Sequence, residues 1–96
     1  MGYRTTRTAD EDLSRIYDES DQQFGTSQAE RYIAALFAKF EMLARFPQSA
    51  RLRHEFTPPL RIQPHVSHMI IYQEDKDGII ILRVIPARAN WQVLLS

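Results

Sequence analysis

The hydrophobic period of this chain changes once, and the change falls at Pro47. Before it, apolar residues recur every three or four positions; after it they alternate or run together. A chain divided in this way builds helices first and strands afterwards, which points to an α+β arrangement. Ala9, Leu13, Ile16, Tyr17, Ser20 and Phe24 form one helical stripe. A second runs through Ala29, Tyr32, Ile33, Leu36, Phe37, Phe40, Leu43 and Ala44. Thr8 with Glu11, and Ser27 with Glu30, have the spacing of capping boxes. Gly25 is the expected stop of the first helix, since a residue without Cβ enters the left-handed conformation cheaply. Pro47 ends the second. Helices joined by Gly25 and Thr26 alone are predicted to lie antiparallel.

The strands are legible from alternation. Tyr3, Arg4, Thr5, Thr6 and Arg7 predict a short first strand. Leu60, Arg61, Ile62 and Gln63 form a weak strand between prolines, which predicts a sheet edge. Residues 67–73 make a stronger strand. Residues 79–85, apolar apart from Arg83, read as a strand buried on both faces. Residues 74–78, ending in Asp77-Gly78, close the hairpin between them. Residues 89–95 suit a short terminal helix or an extended arm. The predicted fold is β-α-α-β-β-β, a helical hairpin on one face of a small, mostly antiparallel sheet. At 96 residues the expectation is a single domain over 1–96.

Composition removes several function classes. Without cysteine there is no disulfide framework, thiol nucleophile, iron–sulfur site or cysteine-based zinc site. The longest apolar run, residues 79–82, is far shorter than a membrane span, and no secretory segment opens the chain, so a cytoplasmic protein is expected. The 12 acidic and 12 basic residues balance but are unevenly spread. Asp10, Glu11, Asp12, Asp18, Glu19 and Asp21 crowd the first helix, while Arg45, Arg51, Arg53 and Arg61 face the single acid Glu55 within residues 45–61. Ten of the basic residues are arginine, the better side chain for bidentate pairing with carboxylate or phosphate.

Catalytic motifs are sparse. His54-Glu55 begins like the metalloprotease HExxH, but Pro58 stands at the second ligand position. His65 and His68, three apart near a strand, are expected on opposite faces and therefore not on one metal. No serine carries the glycines of a nucleophile elbow, and no glycine-rich phosphate loop is present. No metal, cofactor or small-molecule substrate is expected.

Four strings, in order, resemble the ParE branch of the RelE/ParE toxin superfamily. Ala9-Asp10-Glu11-Asp12-Leu13-Ser14-Arg15-Ile16 is similar to its first helix. Phe24-Gly25 with Gln28-Ala29-Glu30-Arg31-Tyr32 is similar to its helical hairpin. Leu43-Ala44-Arg45-Phe46-Pro47 with Arg51, Arg53 and Glu55 resembles the segment that follows. Ser67-His68-Met69-Ile70-Ile71-Tyr72, then Gly78-Ile79 and Ile81-Leu82-Arg83-Val84-Ile85, resembles its final hairpin. The chain departs from the family at Pro86, usually His, and at Asn90, commonly Asp.

The resemblance implies the toxin of a type II toxin–antitoxin pair, a poison of DNA gyrase held inactive by a small acidic antitoxin that is partly disordered when free. The related RelE branch instead cuts mRNA on the ribosome. That branch carries a phosphate-binding Arg where this chain has Met69, and a Tyr or His after the position of Arg88, where this chain has none. Arginine does not shuttle protons at neutral pH. A non-catalytic binder is therefore expected, with an mRNA endoribonuclease or a degenerate toxin that only binds its antitoxin as the alternatives. Arg51, Arg53, Arg61, Arg83 and Arg88 are the expected target-binding cations, gathered on one positive surface if the strands are neighbours. The other reading is a solvated sheet face with Arg83 paired internally. Trp91 is either an interface anchor or a residue of the domain's own core. Leu60 and Ile62 on the expected edge, with Tyr17 and Tyr32 on the helices, are the expected antitoxin-binding residues. Direct contact with nucleic acid is left open.

Overall fold

The computed structural model describes residues 2–90. Strand β1 (Gly2–Thr5) leads into helices α1 (Arg7–Phe24) and α2 (Thr26–Arg45), and a 3-10 turn (Pro47–Ser49) leads out of them. Strands β2 (Leu52–Arg53), β3 (Leu60–His65), β4 (His68–Asp75) and β5 (Gly78–Pro86) follow. They form one five-stranded sheet in the order β1-β5-β4-β3-β2, with β1 parallel to β5 and every other pair antiparallel. The α+β expectation holds, with a short extra strand at the sheet's edge.

The helical stripes do what their period requires. Leu13, Ile16, Leu36, Phe40 and Leu43 bury against Ile70, Tyr72, Ile79, Ile81 and Val84 on the sheet. On the opposite face Leu60, Ile62, Ile71 and Ile85 make a second, smaller cluster with Phe56, Met69 and Leu82. Burial on both faces explains why β5 reads as a nearly continuous apolar run.

Local details differ from the sequence expectation where tertiary partners compete. The first strand stops at Thr5, and Thr6 rather than Thr8 caps α1. Its hydroxyl accepts from the Ala9 N–H at 3.0 Å and donates to the Leu82 carbonyl at 2.8 Å, so one side chain ties the helix start to β5. No side chain caps α2, and Gly25 (φ 89°, ψ 165°) serves both helices from an extended, glycine-type conformation. Thr26 donates instead to the Asp21 carboxylate at 2.6 Å. The β4–β5 connection is tighter than expected, with Asp75 directly opposite Gly78. A Cβ at Gly78 would collide with the Gly2 carbonyl, so glycine lets β1 come alongside.

The β3 edge is the larger correction. Leu52 pairs with Arg61 and Arg53 with Leu60, so β2 covers the start of β3. The edges of the sheet are β1 and β2, and the β2 pairing stops at Arg61.

The join between α1 and β5 is polar and buried. Strand β1 accompanies β5 only from Gly78 to Ile81, leaving the rest of that edge without a strand. A register shift opposite Ile71 and Tyr72 leaves Leu82 without a cross-strand partner and re-aims the residues after it. Asp12, only 1% exposed, fills the gap. Its carboxylate accepts from Arg83 Nε at 2.8 Å and Nη2 at 3.1 Å, from the Val84 N–H at 2.9 Å, and from Arg15 Nη2 at 2.8 Å. Burial works to raise its pKa, but these donors outweigh burial and the net shift is downward.

A depressed folded pKa fixes the sign of the pH effect. The stabilisation is complete above the unfolded carboxylate value of about 3.9 and drains away as pH falls through the lower folded value. Asp12→Ala is expected to cost about 3 kcal/mol, because it strands the Arg83 guanidinium and the Val84 N–H. It should also flatten the acid limb of the stability profile, as urea melts across the acid range will report.

Candidate functional site

Each arginine that the sequence nominates can now be placed. Arg83 is committed to Asp12 and supports the fold. Arg61 is buried and donates to the Ala50 carbonyl at 2.6 Å and to Glu74 Oε2 at 3.1 Å. It clasps the loop after the helices against the sheet. Arg53 is half-buried and pairs with Glu55 at 2.9 Å. Arg51 and Arg88 are exposed. Trp91 lies outside the described residues.

These cations do not form one surface. Arg53 is opposite Leu60, at the start of β3. Arg88 follows Pro86, which pairs with His68, itself opposite His65 at the end of β3. Five residue steps along β3 separate the two ends, about 17 Å along the strand alone. The expected single positive surface is thus two basic ends, and the antiparallel order of the strands is the reason.

The apolar nominees also part ways. Leu60 and Ile62 are buried in the second cluster, so their side chains are part of the core rather than a contact surface. Tyr17 is half-buried on α1. Tyr32 is half-buried on α2, and its hydroxyl lies 2.7 Å from His68 Nδ1 and 3.3 Å from the His65 carbonyl.

Sequence spacing misjudged the histidines. A two-residue turn at Val66 and Ser67 places His65 and His68 directly opposite one another, and cross-strand partners share a face. Both rings sit against Tyr32, with centroids 5.8 and 5.5 Å from it. Burial pushes the His68 pKa down, and His65, Arg15 and Arg88 add to the shift while Glu19 opposes it. Burial also lowers His65, with Lys39 adding to it. A histidine whose pKa burial lowers, and whose ring nitrogen meets a tyrosine hydroxyl, therefore stands within the electrostatic reach of Arg88. Among the described residues no group of three or more potential ligands could hold a metal ion. A cavity of about 380 Å³, lined by Gly2, Tyr3, Glu41, Ala44 and Arg45, lies at the other end of the sheet.

Asp12 is the key residue that the sequence reading passed over. The signal was present: it falls between Ala9 and Ile16 on the apolar stripe of α1, where a solvated acid does not belong.

Known proteins give a consistent comparison. A family model described as ParE toxin of type II toxin–antitoxin system, parDE, matches residues 3–91. Toxin ParE1 of Caulobacter vibrioides is 32% identical over 71 residues, covering 74% of each chain. Toxin ParE3 of the same organism is 26% identical over 85 residues, covering 88% of this chain and 85% of its own. A solved structure titled chromosomal ParDE TA system from P. aeruginosa superposes with a TM-score of 0.75 at 22% identity, over 90% of this chain and 95% of that one. At that identity the superposition speaks for the fold.

The histidine cluster is directly measurable. His68 is expected to titrate below the ordinary value of about 6.5 in an NMR pH series. Because its folded pKa is lowered, its contribution to stability is complete above that value and is lost as the pH falls through the folded pKa. Tyr32→Phe should move the His68 midpoint.

Proposed function

This chain belongs to the ParE toxin family of type II toxin–antitoxin systems, and from that premise we propose that it arrests growth by gripping DNA gyrase in the cytoplasm without performing a reaction. The observation that carries the reading is the division of labour at the end of β5. Arg83 is consumed by Asp12, whereas Arg88, five residues later, is exposed. Arg88, with Trp91 three positions later in the sequence, is the target-binding pair. Arg51 and Arg53 at the opposite end are secondary contacts, and Arg61 and Arg83 act only by holding the scaffold.

The cognate antitoxin is the second partner. Its acidic segment is attracted to the exposed guanidinium groups, and its apolar residues lie along the helical hairpin at Tyr17. An extended part can add to the outer side of β3 beyond Arg61, where β2 no longer covers the strand. This replaces the side chains of Leu60 and Ile62 with the strand's backbone as the point of contact.

One observation favours a second reading. The Tyr32–His68 pair near Arg88 supplies the proton-carrying groups that an mRNA endoribonuclease needs. Against it, His68 is half-buried and its Nδ1 already faces the tyrosine hydroxyl.

Purified gyrase assayed for supercoiling and cleavage, beside ribosomal mRNA cleavage, separates the two. The expected result is gyrase inhibition with intact transcripts, weakened at least about tenfold by Arg88→Glu at an unchanged melting temperature, the loss of one interface hot spot. Arg83→Ala should act differently, lowering the melting temperature first. Transcripts cut in a His68-dependent way, with gyrase unaffected, would overturn the proposal.

A further inference from the structure

Phe46 is 61% exposed, an uncommon position for a phenylalanine that ends a helix. It is nevertheless held firmly. Its N–H donates to the Met42 carbonyl at 2.9 Å, and its own carbonyl accepts from the Ser49 N–H at 3.0 Å and the Ser49 hydroxyl at 2.6 Å. The turn beyond it is pinned from below, where the Tyr72 hydroxyl donates to the Pro47 carbonyl at 2.8 Å and buried Arg61 donates to the Ala50 carbonyl. Two buried polar side chains are thus spent on fixing a turn whose outward product is an exposed ring.

In the sequence the ring falls between two exposed cations. Arg45 and Arg51 are both exposed, and among the described residues neither forms an ion pair; Arg51 is near enough to Glu55 to lower its pKa. The other strongly exposed apolar side chains differ. Phe24 sits among Gln22, Gln23 and Gly25, and Val66 caps a hairpin turn. Beside Arg45 opens the cavity of about 380 Å³, with Tyr3 and Ala44 in its lining and Glu41 as its single carboxylate. A carboxylate there repels phosphate but accepts from the amino edge of a nucleobase.

We propose that the turn carrying Phe46 between Arg45 and Arg51, with the adjoining cavity, is a contact surface for single-stranded or locally unpaired nucleic acid. A base stacks on the Phe46 ring, the flanking phosphates meet the two guanidinium groups, and a neighbouring base enters the cavity. Acidic side chains alone would satisfy the arginines but would leave the Phe46 ring uncovered. Stacking plus backbone charge is the pattern of sequence-tolerant strand binding. The inference is independent of gyrase, because its test contains none.

The test is fluorescence anisotropy of labelled oligonucleotides of about ten residues with the purified chain, at about 50 and about 200 mM salt. Binding is expected to weaken as salt rises. Phe46→Ala should weaken it about tenfold, the scale of one lost base stack, without lowering the melting temperature. Arg45→Gln and Arg51→Gln should each reduce the slope of log K against log salt by about 0.7. No binding at about 100 μM protein would overturn the proposal. So would unchanged binding in all three variants, or full displacement by polyglutamate of equal charge.

Discussion

The buried carboxylate of Asp12 is the constraint around which the rest of the molecule is arranged. A parallel strand that stops at Thr5 leaves β5 with an open edge in the middle of the protein. Backbone groups in that position need partners, and α1 provides them through the Thr6 hydroxyl and the Asp12 carboxylate. Such a buried ion pair is weak evidence for net stability, since desolvation offsets much of its attraction. Its stronger effect is on geometry. A bidentate Arg83 and a backbone N–H at 2.9 Å admit one placement of α1 along β5, whereas apolar contacts alone would tolerate sliding.

The arginine content acquires its meaning from this arrangement. Arg83 and Arg61 are interior fasteners, one joining helix to sheet and the other joining the post-helical loop to β3 and β4. Arg51 and Arg88 are left at opposite ends of the sheet. A protein with formal net charge of zero thereby carries separated basic ends rather than a single field. The same fold leaves a backbone edge of β3 open beyond Arg61.

Local rules failed at points where a tertiary partner outbid them. Thr8 and Glu11 have ideal capping spacing, yet Thr6 caps the helix because it also reaches Leu82. Prolines around residues 60–63 suggested an edge, but two residues of β2 are enough to cover the start of β3. His65 and His68 were assigned to opposite faces by counting along one strand, whereas a turn at Val66 makes them cross-strand partners. In each case the information missing from the local window was the identity of a residue far away in the chain.

Amphipathic period, the glycine between the helices and the proline after them determined by themselves the element types and order, and the likeness to the ParE family lay in the same strings. Those signals are local, because side-chain periodicity reflects which face of one element meets the core. Only the tertiary structure decided which charged residues serve the interior and which face outward. Arg83 and Arg88 are equivalent as letters; they differ because one meets a buried carboxylate from the other end of the chain and the other meets water.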